Sequence, residues 1–159
     1  MKKVLLIFGF TLLLFGCSAK QDNSELNVVL VEKYIQAVEK LDYKTMGELL
    51  DENYVGLGPS INDSIGKTAV IENWELNVNT LYKGIKYNKS RNMAVQISEG
   101  ENKGEWVSNW AELTIDYQFD QTVTIWANTV YKIQNGKIVR SFSFYNELDV
   151  YEQLGFEFY

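Results

Sequence analysis

Apolar residues recur along the chain in two rhythms. Over Val31, Tyr34, Ile35, Val38 and Leu41 they return at steps of three and four, the mark of an amphipathic helix. Asp22 and Glu25 stand ahead of it at capping-box spacing, and Asp42 is placed to cap a shorter second helix carrying Met46, Leu49 and Leu50. A short strand is expected at residues 54–57. The stretch 56–66, which holds the only proline, Pro59, reads as a loop. A third helix is predicted from Lys67 to about Asn79, with Val70, Ile71, Trp74 and Val78 on one face.

From Ile85 onward the rhythm changes to two. Strands are predicted at 85–97, 105–119, 122–134 and 137–145. Asn135-Gly136 is a tight hairpin turn because both residues tolerate positive φ, and Asp120-Gln121 is a weaker turn. Residues 147–154 form a last helical turn before Gly155. Helices first and antiparallel strands second make an α+β domain, with the helices packed on one face of a curved sheet.

The alternation also sorts side chains between the two faces of that sheet. Val107, Ala111, Leu113, Ile115, Tyr117 and Phe119 share one face, and Trp106, Trp110, Glu112, Thr114 and Asp116 the other. In the next two strands Trp126, Val130, Phe142 and Phe144 fall opposite Ala127, Thr129, Tyr131, Ser141, Ser143 and Tyr145. Both faces carry large apolar groups, so one covers the helices and the other calls for a further partner; a single bulge would exchange them. Trp106, Trp110 and Trp126 read as packing on a sheet face, with a homodimer contact through that face the expected use.

The first residues have a different purpose. Lys2 and Lys3 precede an apolar run from Val4 to Phe15, too short for the ~20 residues that a bilayer span requires. The sequence Leu14-Phe15-Gly16-Cys17 resembles the bacterial lipobox, which implies cleavage before Cys17 and acylation of its thiol. On this reading residues 1–16 are a signal peptide, 17–24 a lipidated tether and 25–159 the domain. The product is then held at the cell envelope through its lipid.

Composition narrows the chemistry. The net charge is −6, and loss of Lys2 and Lys3 with the leader takes it to −8, so nucleic acid is not an expected partner. Cys17 is the only cysteine, which excludes disulfides and multi-cysteine metal sites. Histidine is absent, and with it the commonest general base and metal ligand. No metal or cofactor is expected.

The order of elements resembles the SnoaL-like branch of the nuclear transport factor 2-like superfamily. The resemblance is carried by Val31-Glu32-Lys33-Tyr34-Ile35, Gly66-Lys67-Thr68-Ala69-Val70, Asn135-Gly136-Lys137-Ile138-Val139 and Tyr145-Asn146 … Gln153-Leu154-Gly155-Phe156. It implies a cone, a curved sheet wrapped around three helices, with an internal pocket open at one end. The superfamily includes ketosteroid isomerase, polyketide cyclases, scytalone dehydratase and non-enzymatic ligand carriers. Tyr34 falls where the isomerase keeps its oxyanion-hole tyrosine. The isomerase's basic aspartate would fall at Gly58, before Pro59, and its second oxyanion donor near Thr129 or Asn128. The acid of SnoaL-type cyclases would fall at Asn146. Glycine and an amide abstract no proton, so the family's known route is unsupported and no catalytic residue is assigned.

The expected ligand-binding set is Tyr34, Trp74, Thr129, Tyr131, Ser141, Ser143, Tyr145 and Asn146, around a small, largely apolar molecule. Two alternatives stand beside this binder. One is a lyase or isomerase that uses Tyr34 as electrophile with an unidentified carboxylate, Glu72 or Glu147, as base. The other is a protein-binding adaptor whose cone is filled by its own side chains.

Overall fold

The structure is a computed structural model, and it describes residues 23–158. Helix α1 (Ser24–Glu39) buries Val31, Tyr34, Ile35 and Val38 of the predicted stripe, together with Ala37; Leu41, the last residue of that stripe, lies past the helix end at φ 55°. Its N-cap is Asn23, which makes no side-chain cap bond; the expected partner Asp22 lies outside the described residues. The amides of Asn23 and Asn27 donate instead to the Glu105 carboxylate, at 3.4 and 2.8 Å, tying the start of α1 to the sheet. Asp42 caps α2 (Tyr43–Leu49) as its side chain requires, accepting from the Thr45 backbone N–H at 3.0 Å.

Strand β1 (Leu50–Leu57) follows α2 directly and begins earlier than the sequence suggests, because Leu50 and Tyr54 both reach the core. The short strand β2 (Ser64–Gly66) pairs antiparallel with β1, so the expected loop at 56–66 shrinks to residues 58–63. Helix α3 (Lys67–Thr80) then leads into β3 (Tyr82–Ile97), β4 (Gly104–Tyr117), β5 (Thr122–Gln134) and β6 (Lys137–Tyr145). The β5–β6 turn has Asn135 at φ 53° and Gly136 at φ 71°, as its sequence demands. Asp120 supplies the positive φ, 59°, at the β4–β5 turn.

The six strands form one sheet in the order β2-β1-β6-β5-β4-β3. Every pairing is antiparallel except β1 with β6, which run parallel. This departs from the purely antiparallel sheet expected. β1 comes out of the helical half of the chain and reaches β6 only through long-range pairing, which local sequence does not encode.

Register settles the faces. Val107 stands opposite Tyr131, Asn109 opposite Thr129, and these lie beside Ser141 and Ser143 on the concave side that covers the helices. Val31, Met46, Leu50, Val107, Tyr131 and Ile138 make up much of that core. A second cluster of Tyr117, Val123 and Ile125 is covered by Val150 and Leu154, which belong to or follow α4 (Glu147–Gln153). Gln153 fixes α4 to β5 by accepting from the Thr124 N–H at 2.9 Å and donating to its carbonyl at 3.0 Å. No helix among the described residues is long and apolar enough to cross a membrane.

Candidate functional site

Between α1, α3 and the concave sheet lies a cavity of about 190 Å³. Six of the eight predicted residues line it: Tyr34, Trp74, Thr129, Tyr131, Ser141 and Ser143. Tyr145 and Asn146 do not. Tyr145 is at the far end of β6, and Asn146 is the N-cap of α4, its side chain accepting from the Asp149 N–H at 3.4 Å. The capping geometry gives Asn146 a structural task, and only the motif around it suggested a ligand.

The fold brings in two tyrosines absent from the expected set, Tyr54 of β1 and Tyr87 of β3. The Tyr54 hydroxyl is 2.7 Å from Ser141 Oγ in a buried hydrogen bond. That contact spans the parallel β1–β6 seam, where Gly56 stands opposite Ser141. Tyr87 is opposite Leu113, one of the core-facing positions of β4, so the alternation of β3 was the signal available for it. Thr129 and Ser143 are neighbours across β5 and β6, their hydroxyls 3.2 Å apart. The Tyr34 and Tyr131 rings meet at 5.7 Å.

Every polar side chain in this lining is a hydroxyl or an indole. Burial pushes the phenols of Tyr34 and Tyr131 well above their usual range, the other tyrosines adding to the effect. Tyr87 rises for the same reason, with the Glu39 carboxylate next in weight. Tyr54 is also raised by burial, partly offset by its bond to Ser141. These groups are therefore neutral donors and acceptors throughout the physiological range. Glu72 is exposed on α3, and neither it nor Glu147 is in the lining, so the carboxylates considered as bases stand apart from Tyr34.

Gly58 lines the cavity at the position where the resemblance places the isomerase base. Its φ is +88°, and a Cβ there would come within 2.4 Å of the Ser143 carbonyl oxygen. The backbone itself closes this wall. Among the described residues no group of His, Cys, Asp or Glu is arranged to hold a metal.

Solved structures share this architecture. The chain superposes on a "putative polyketide cyclase" from Xanthomonas campestris with a TM-score of 0.69 at 15% identity, covering 83% of this chain and 98% of that one. The fold is nuclear transport factor 2-like. A "putative polyketide cyclase" from Pseudomonas putida aligns with a TM-score of 0.66 at 20% identity, over 80% of this chain and 96% of that one. An LEH-like epoxide hydrolase from M. tuberculosis aligns at 0.61 and 14% identity, over 83% and 91%. No protein-family model and no curated protein matches the sequence. At these identities the nuclear transport factor 2-like likeness extends to the fold, and one fold of this kind serves unrelated chemistries.

Proposed function

We propose that this chain is a lipid-anchored envelope protein whose cone binds a small neutral molecule without transforming it. The observation that carries the reading is the chemistry of the cavity wall. It offers phenols, alcohols and an indole, and no carboxylate, amine or imidazole. A general base must be basic enough to take a proton near neutral pH, and phenols that burial keeps protonated are not. Tyr34 retains the proton of an oxyanion donor, but polarising a carbonyl leads nowhere unless a second group takes a proton from it.

Size and polarity define the ligand class. An apolar cavity of ~150 Å³ accepts a benzene ring, so about 190 Å³ takes one ring or a short branched chain. This is below the ~300 Å³ of ordinary drug-sized sites. Val38, Leu57, Ile65 and Val70 supply apolar wall, while Thr129, Tyr131 and Ser143 supply hydrogen bonds. A neutral carbonyl or hydroxyl compound satisfies both; an anion finds no cation in the lining. The space kept in the cone supports a binder over an adaptor with a filled interior. Native mass spectrometry on the protein purified from its own host tests the proposal. A small adduct released by denaturation supports it, and a bare mass in both wild type and Tyr34→Phe speaks against it.

A further inference from the structure

The convex face of the sheet has a composition opposed to that of the rest of the chain. Across β3–β6 its outward positions carry Lys86, Lys89, Arg91, Lys132 and Arg140 against Glu112 and Asp116, with Asp51 of β1 beside Gln134 at one edge, in a protein of net charge −6. The register fixes this: Lys86 stands opposite Thr114, Arg91 opposite Trp110, and Lys132 opposite both Trp106 and Arg140. Lys89 lies in the β3 bulge and reaches the same face, bonding Glu112 at 2.6 Å with its ammonium 5.7 Å from the Trp126 ring.

Among these cations stand aromatic rings that the described residues leave exposed. Trp110 is 40% exposed, Phe144 55% and Trp126 64%. Trp106 behaves differently. The Lys132 ammonium lies 5.5 Å from its ring and Phe142 packs at 6.0 Å, leaving it buried at the side of an apolar groove of about 310 Å³. The groove runs on to Val95, Ile97 and Asn102, toward the β3–β4 hairpin. The described chain begins at that same end, where Asn23 is bonded to Glu105. Five residues separate Asn23 from Cys17, six Cα steps with a reach of at most ~20 Å.

We propose that the convex face docks on an anionic lipid surface. Tryptophan set among lysine and arginine is the composition of a membrane interface, with the rings at headgroup level and the cations drawn to anionic lipid. The groove beside Trp106 accepts apolar chain from below. A second copy is disfavoured as the occupant, since a two-fold contact would press this cationic face against itself. Docking would hold the cone in a fixed attitude above the bilayer, with the cavity on the side away from the lipid. The proposal uses the lipobox reading of Cys17 for proximity only.

The test uses the full chain, purified in detergent and reconstituted into vesicles of brominated phosphatidylcholine, alone or mixed with phosphatidylglycerol. The lipid anchor alone predicts flotation with both vesicle types. Docking predicts in addition that tryptophan emission is quenched only when anionic lipid is present, and that molar salt, with its ~3 Å screening length, restores it. Trp110→Phe/Trp126→Phe should remove most of the quenching while leaving flotation unchanged. Arg91→Gln/Arg140→Gln should weaken docking about thirty-fold, at ~1 kcal/mol per cation. Equal quenching in both vesicles, or none in either, overturns the proposal. So does a dimer in detergent, seen by light scattering, that Trp126→Asp converts to monomer. Failure to float on phosphatidylcholine refutes the anchor alone, and flotation with quenching on anionic vesicles then decides the face.

Discussion

Gly58→Ala measures how firmly the backbone closes the cavity wall. Gly58 has φ +88°, a region where a side chain costs roughly 1–2 kcal/mol. The added Cβ would also lie 2.4 Å from the Ser143 carbonyl oxygen, a backbone atom of β6 that yields only if the strand shifts. Strain and overpacking together give about 3 kcal/mol of lost stability. At a urea slope of ~1–3 kcal/mol/M this lowers the unfolding midpoint by roughly 1–3 M. Gly100→Ala is the control. Gly100 has φ +78° with nothing within 4 Å of where a Cβ would stand, so it should lose only the backbone part, about 1 kcal/mol. Equal losses in the two variants would refute the close-approach argument. The same geometry predicts that Gly58→Asp yields no base, since its carboxylate enters the wall only by displacing the strand.

Further outcomes follow from the same residues. Tyr34→Phe removes one neutral hydrogen bond from the cavity and should weaken ligand binding by about 1 kcal/mol, roughly five-fold by calorimetry. Ser141→Ala leaves the buried Tyr54 hydroxyl without its partner and should cost ~1–3 kcal/mol, with a double-mutant cycle against Tyr54→Phe returning a coupling of about 1 kcal/mol. The buried phenols make the fold sensitive to alkali. Their folded pKa values are raised, Tyr82 to about 12, so their stabilising effect is complete below pH ~10 and is lost as pH rises from there toward the folded values. Unfolding free energy should fall by ~1.4 kcal/mol per pH unit for each such tyrosine, and Tyr34→Phe should flatten the slope. Acylation predicts a lipidated Cys17 in the mass spectrum of the mature N-terminus, and Cys17→Ala should move the protein from the detergent phase to the aqueous phase.

Much of the fold is legible in the sequence because it depends on local rhythm. The stripe through Val31, Tyr34 and Val38 marks α1, and Asn135-Gly136 marks the β5–β6 hairpin. Strict alternation puts Thr129, Tyr131, Ser141 and Ser143 on one face, and that face is the concave one. What stays hidden depends on contacts distant in sequence. The parallel β1–β6 seam brings Tyr54 to Ser141 across 87 residues, and no spacing announces it. Tyr87 is placed by alternation with Ile85, but the bulge between Asn88 and Arg91 puts the rest of β3 out of phase with it, so no single period over the strand marks it as core-facing. Asn146 misleads for the opposite reason: a motif suggests the cavity, while its side chain serves a helix N-terminus.

The central claim, binding without turnover, is tested most directly by NMR of the protein with cyclohexanone in heavy water. This probe is neutral, has one ring, and carries a carbonyl with exchangeable α-hydrogens. The account predicts that the Trp74 indole resonance shifts and saturates at millimolar concentration or below, and that benzoate, an anion of similar size, leaves it unmoved. It also predicts that the α-hydrogens of cyclohexanone exchange for deuterium no faster with the protein than without it. Faster exchange that Tyr34→Phe abolishes would contradict the account and reveal a proton-abstracting enzyme.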